Sequence, residues 1–202
     1  MEIGLFPLPL VLLPTERLPL HVFEERYKEL VGECLASGGE LGIVYAEGDA
    51  LAELGTRARI AQVLTRFRDG RLNIVVEGGT RFRLVELTSG RSFHTARVAE
   101  LEDEEDPADP RVVADALELF EQLREVTASD VEPPARDAAL LSFALAGRVE
   151  LPVEAKLELL SEVSERKRME RVRDLLRDSL RSARQARRAA ERASGNGRVD
   201  VA

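Results

Sequence analysis

The stretch LGTRARIAQVLTRFRDGRLNIVVEGGTRFRL, Leu54 to Leu84, decides the fold class. Its apolar residues fall into three short groups: Ile60, Val63 and Leu64; Leu72, Ile74 and Val76; Phe82 and Leu84. Each group is β-prone and interleaved with charge, including Arg59, Arg66, Arg71, Arg81 and Arg83, so each strand presents one packed and one wet face. Asp69-Gly70 is the strongest hairpin signal in the chain, because such turns need residues that tolerate positive φ. The stretch predicts three consecutive strands joined by two glycine-marked turns, and it carries no catalytic constellation. A binding module is the first expectation.

On the N-terminal side, Ile3 to Phe23 alternates apolar runs with Pro7, Pro9, Pro14 and Pro19, which forbids a helix and fits a strand-turn-strand near a sheet edge. From Glu24 to Ser37 the rhythm becomes helical. Tyr27, Leu30, Val31, Cys34 and Leu35 form one face, and Gly38-Gly39 ends it. Leu41 to Tyr45 reads as a strand and Glu47 to Glu53 as a polar connection. On the C-terminal side, Phe93 to Leu101 reads as the last strand, and the acidic run from Glu102 to Pro107 breaks the pattern.

Beyond it, stripes at helical spacing run through Val113 to Leu123, Leu140 to Leu145 and Val153 to Leu160, with Pro152 opening the third. A fourth helix begins near Ser164, with Met169, Val172, Leu175, Leu176 and Leu180 on its apolar face. Past Leu180 that stripe thins to alanines, and Ser194 to Ala202 reads as disordered. The expected organisation is a β-barrel unit over 1–106, a helical bundle over 107–180, and a basic extension and tail over 181–202.

The 202 residues carry a net charge of −8, which argues against an overall field that attracts nucleic acid. The charge is uneven, because Arg166 to Arg192 holds eleven basic residues against four acidic ones. Cys34 is the only cysteine, so neither an internal disulfide nor a Cys-rich zinc site can form. With no run of about 18 apolar residues and no signal-peptide pattern, a soluble cytoplasmic protein is expected. Cys34 sits on the apolar helical stripe as a packing residue. His21 and His94 lack carboxylates at ligand spacing, so no metal, cofactor or catalytic residue is assigned.

Several motifs together resemble a known family. They are FPLPLVLLPTERLPLHVFEERY from Phe6 to Tyr27, Leu54-Gly55-Thr56, Asp69-Gly70, and Val76-Glu77-Gly78 followed by Arg81-Phe82-Arg83. Leu140-Leu141-Ser142-Phe143, Leu151-Pro152 and Lys156-Leu157-Glu158-Leu159-Leu160 continue the match. In order and spacing these resemble the N-terminal substrate-binding domain of the ATP-dependent protease Lon, over roughly Ile3 to Leu180. The resemblance implies an α+β fold, a PUA-like β pseudo-barrel with one packed helix followed by a helical bundle. It also implies recognition of unfolded or tagged protein. The sequence contains no G-x-x-x-x-G-K-[ST], and Ser161, Ser164, Ser179 and Ser182 lack the flanking pattern of the Lon peptidase, so no enzymatic activity is expected.

Candidate contacts for an unfolded or extended polypeptide are Leu10, Leu12, Leu13, Pro14 and Pro19 of the opening loop, which is more apolar than a short strand needs, with Arg81 and Arg83. The competing reading has the loop covered by helices and the arginines paired with glutamates. A protease or chaperone would be the functional companion, and a monomer or weak homodimer the expected state. The alternative function is an RNA-binding PUA-like protein using the basic C-terminal helix, against which the low aromatic content (4%) counts, because stacking platforms are scarce. Self-pairing of that helix, or its pairing with an acidic partner, is the third possibility.

Overall fold

The computed structural model describes residues 1–195, so residues 196–202 of the expected disordered tail lie outside the described residues. The elements run β1 (Glu2–Leu8), β2 (Arg17–Val22), α1 (Glu25–Ser37), β3 (Glu40–Glu47), β4 (Ala50–Arg66), β5 (Leu72–Thr88), β6 (Thr95–Leu101), α2 (Pro110–Thr127), α3 (Leu141–Ala146), α4 (Val153–Ser161) and α5 (Glu165–Gly195). The fold is mixed α+β. The strands form one sheet in the order β2-β5-β4-β3-β1-β6, and a further β5–β6 pairing closes the ring. Among the described residues, β1 and β3 are the one parallel pair.

The decisive stretch forms two long strands rather than three short ones. Asp69-Gly70 makes the expected hairpin, with Gly70 at φ 84° and the Phe67 N–H donating to the Arg71 carbonyl at 2.9 Å. Gly78-Gly79 is not a turn. Along one edge of β5, residues 72–77 pair with β2 and residues 81–88 pair with β6, while β4 follows the opposite edge past a bulge. The two glycines sit where the partner changes. There the opening loop crosses the strand: the Thr15 N–H donates to the Gly78 carbonyl at 2.8 Å, and the Gly78 N–H to the Glu16 carbonyl at 2.9 Å. A Cβ on Gly78 would lie 2.2 Å from the Leu13 carbonyl oxygen, so close approach explains this glycine. The polar connection expected from Glu47 to Glu53 also shrinks, to a tight turn at Gly48-Asp49 with β4 resuming at Ala50.

α1 follows the reading closely. Tyr27, Leu30, Val31 and Cys34 are buried, and Gly38 at φ 67° stops the helix while its N–H donates to the Cys34 carbonyl. Beneath it a cluster including Phe6, Leu12, Leu41, Ile43, Ile74, Val76 and Phe93 fills the space against the sheet. Alternation along β1 sends Ile3 and Leu5 into a smaller cluster with Val44, Phe82, Ala96 and Val98. The third cluster joins the helices to the opening loop, combining Val11 and Leu13 with Phe120, Phe143, Leu145, Leu159, Met169 and Leu176.

Past Leu101 the acidic run docks against the start of α5. Asp106 accepts from Ser164 Oγ at 2.6 Å and from Arg166, and Ser164, buried, caps α5 by accepting from the Lys167 N–H. α2 starts at Pro110 after Asp109, whose carboxylate accepts from the Arg111 N–H. Asp106 lies against Arg166 and Gln122 against Arg184, so α2 and α5 run parallel. α5 continues through the expected basic extension as helix, with Arg181 and Arg184 to Arg192 exposed.

Candidate functional site

The opening loop is a seam between two cores. Leu12 and Leu13 are fully buried on opposite sides of it, Pro14 is buried, and Leu10 is half-buried. The chain is clamped there by Thr56 Oγ1 donating to the Leu12 carbonyl at 2.6 Å and the Leu13 N–H donating to Glu16 Oε2 at 2.9 Å. Lys156 Nζ reaches Glu16 Oε1 at 2.6 Å from α4. The expected free apolar surface over Leu12 to Pro14 is therefore corrected. Alternate residues of an extended segment point to opposite faces, and here both faces are covered by packing.

The arginines separate as well. Arg83 is exposed, with Glu53 at 3.2 Å, and Pro19 is exposed on β2. Arg81 is only 4% exposed and is no part of a surface patch. It donates to the Leu160 and Glu162 carbonyls at 2.7 and 2.8 Å and pairs with Asp103. Fully buried Arg168 completes the cluster, bonding Asp103, Glu165, the Glu162 carbonyl and Ser142 Oγ. Both guanidiniums lie over the Phe143 ring, 5.3 and 4.0 Å from its centroid. Burial pushes the Arg81 guanidinium below its ordinary value; the Asp103 charge raises it, and the Arg168 charge lowers it further.

An open groove of about 600 Å³ lies instead beside the start of α1. The end of β1 supplies Phe6 to Pro9, the β2–α1 junction supplies Leu20 to Phe23 and Tyr27, and the β3–β4 turn supplies Asp49 and Leu51, with Leu87 and His94 completing the wall. Tyr27 stacks on Phe6 with ring centroids 4.2 Å apart. Burial pushes the Tyr27 phenol up, so it remains protonated at neutral pH. Phe23 is 59% exposed and Leu87 51%. His21 stacks beside Phe23 at 5.9 Å, meets Phe67 edge-on at 6.1 Å, and shares a hydrogen bond with Asn73 Oδ1 at 2.6 Å.

Phe23 is the residue that sequence reasoning missed. Leu18, Leu20 and Val22 face inward in strand alternation, so Pro19, His21 and Phe23 are out of phase and face water. Among the described residues no group of three or more His, Cys, Asp and Glu side chains could hold a metal ion. Burial, then the charges of Glu33 and Glu40, push the Cys34 thiol up, which leaves it unactivated. No helix among the described residues is long and apolar enough to cross a membrane.

A ring of strands with one helix on its face, sealed to a helical bundle through an opening loop and a buried arginine pair, defines a mixed α+β module. The family model of the ATP-dependent protease La (LON) substrate-binding domain matches residues 2–178, and the chain belongs to that family. Lon protease 2 of Myxococcus xanthus is 30% identical over 182 residues, covering 82% of this chain and 22% of that protein. The Lon protease of Anaeromyxobacter dehalogenans (strain 2CP-C) matches with the same identity and coverage. The chain thus spans about a fifth of the length of the curated relatives it matches. Among solved structures, the Lon N-terminal domain protein from Xanthomonas campestris superimposes with a TM-score of 0.66 at 29% identity, covering 85% of this chain and 96% of that one. The N-terminal domain of Mycobacterium avium complex Lon protease shares the fold, with a TM-score of 0.65 at 21% identity, covering 89% and 98% of the two chains.

Proposed function

We propose that this chain is a non-catalytic module that binds unfolded or extended polypeptide segments, and that the groove beside α1 is where it does so. Family membership supports a substrate-binding role. The observation that carries the site is the apolar rim, Phe23 and Leu87, left in water around an open groove floored by Phe6 and Tyr27. Of the residues expected from sequence, Leu10 is half-buried and Pro19 and Arg83 are exposed, but none of them lines this groove. Added-strand docking on β2 fits less well, because Pro19 in the middle of that edge offers no N–H. In this reading the module serves protein quality control in the cytoplasm as an adaptor to a protease or chaperone, acting as a monomer or weak homodimer.

The test is fluorescence anisotropy with a reduced, denatured model protein, compared with its native form. Burying the exposed part of Phe23 contributes about 1–1.5 kcal/mol, so Phe23→Ser should weaken binding about five- to tenfold while leaving the fold intact. Equal affinity for native and denatured protein, or an unchanged Phe23→Ser variant, would refute the proposal.

A further inference from the structure

The C-terminal half of α5 carries an ordered line of charge that the groove does not use. Arg173, Arg177, Arg181, Arg184, Arg188 and Arg192 follow one another at spacings of four, four, three, four and four residues. Side chains at such spacing share one helix face, so the line runs along a single stripe about 28 Å long. From 173 to 192 there are seven arginines against three acidic residues. Asp174 takes up Arg173 and Arg177, and Asp178 takes up Arg181. Arg184 meets only the Gln122 amide oxygen at 2.8 Å, and among the described residues Arg188 and Arg192 have no ion-pair partner. The free cationic charge thus concentrates at the far end of the stripe.

The stripe flanks a shallow groove of about 370 Å³ between α2 and α5, lined by Leu119 and buried Leu180, by Gln122 and Gln185, and by Arg177, Arg181, Arg184 and Arg188. An apolar floor with guanidiniums on one side calls for a ligand with apolar and anionic positions on neighbouring faces. The acidic run of this chain does not cancel the stripe. Asp106 sits against Arg166, eighteen residues and about 27 Å along the helix from Arg184, well beyond the ~8 Å screening length of physiological salt.

We infer that this face docks an acidic amphipathic segment of another protein, with carboxylates along the arginine line and apolar side chains over half-buried Leu119. Guanidinium forks suit carboxylates. A single-stranded nucleic acid fits less well, because the groove offers no aromatic side chain for stacking. A second copy docked stripe to stripe would oppose like charges.

The full chain should be titrated with a labelled helical peptide of about four turns, with Leu and Glu on adjacent faces. Binding should weaken about tenfold between about 50 and 300 mM salt. It should also fall about tenfold at low salt in the Arg184→Gln/Arg188→Gln/Arg192→Gln variant, whose three side chains are exposed. Replacing the peptide's Glu with Gln should abolish binding, and Phe23→Ser should not affect it. The inference is overturned if the triple variant binds equally well, if the Gln peptide matches the Glu peptide, or if an oligonucleotide of about 20 nucleotides binds more tightly than the peptide. Self-association removed by the triple variant would overturn it too.

Discussion

Asp103→Asn should be strongly destabilising although it is isosteric. Asp103 stands between two guanidiniums, Arg81 at 4% and Arg168 at 0% exposure, and removing its charge leaves Glu165 as the one carboxylate still bonded to either of them. Breaking a buried pair while its partner stays charged costs about 3–5 kcal/mol. The Asp103 side chain retains 23% exposure, so the expected loss lies near the lower bound, about 3 kcal/mol. For a chain of this length that is a fall in Tm of about 6–12 °C. Urea unfolding followed by far-UV circular dichroism should show the midpoint moving while the slope stays constant. The internal control is Arg83→Gln, which breaks the exposed pair with Glu53 and should cost less than about 0.5 kcal/mol. A loss below about 1 kcal/mol for Asp103→Asn would show that water reaches the pair, and that the clasp between barrel and helices is only a surface contact.

Gly78→Ala tests the crossing of the opening loop. Its Cβ would meet the Leu13 carbonyl at 2.2 Å, so a cost of about 1–3 kcal/mol in urea unfolding is expected, whereas the same change at Gly32, where nothing lies within 4 Å, should stabilise α1 by up to about 1 kcal/mol. The acid limb of stability should report Asp106. Its carboxyl is held below the ordinary value, first by the hydrogen bond from Arg166 and then by that from Ser164. A depressed folded-state value contributes stability that is present above the unfolded value of 3.8 and lost as pH falls through the lower folded value. The stability gap between the wild type and Asp106→Asn should therefore close as pH is lowered from about 5 to about 2, and a gap constant with pH would contradict the assignment.

Much of the fold was legible because its local signals are strong. The helical stripe of α1 and its Gly38 stop, the Asp69-Gly70 hairpin, the helix opening after Pro152 and the switch from strands to helices near Glu102 all report on short-range chemistry. Gly78-Gly79 misled because a glycine that permits a turn also permits a crossing chain, and only the position of Leu13 distinguishes the two. The loop from Leu10 to Pro14 misled for a related reason: an apolar run reports a need for burial without naming the cover.

By itself the sequence determined most of the strand and helix segments, which face of each is apolar, and which family the chain resembles, since periodicity and motif spacing are carried in the order of residues. Only the tertiary structure decided that Leu12, Leu13 and Arg81 are interior, that Phe23 and Leu87 come together at an open groove, and that the acidic run sits far from the unpaired end of the arginine stripe. These are relations between residues distant in sequence, and the physical quantity that sets them is the surface each side chain loses to its neighbours, which no local pattern contains.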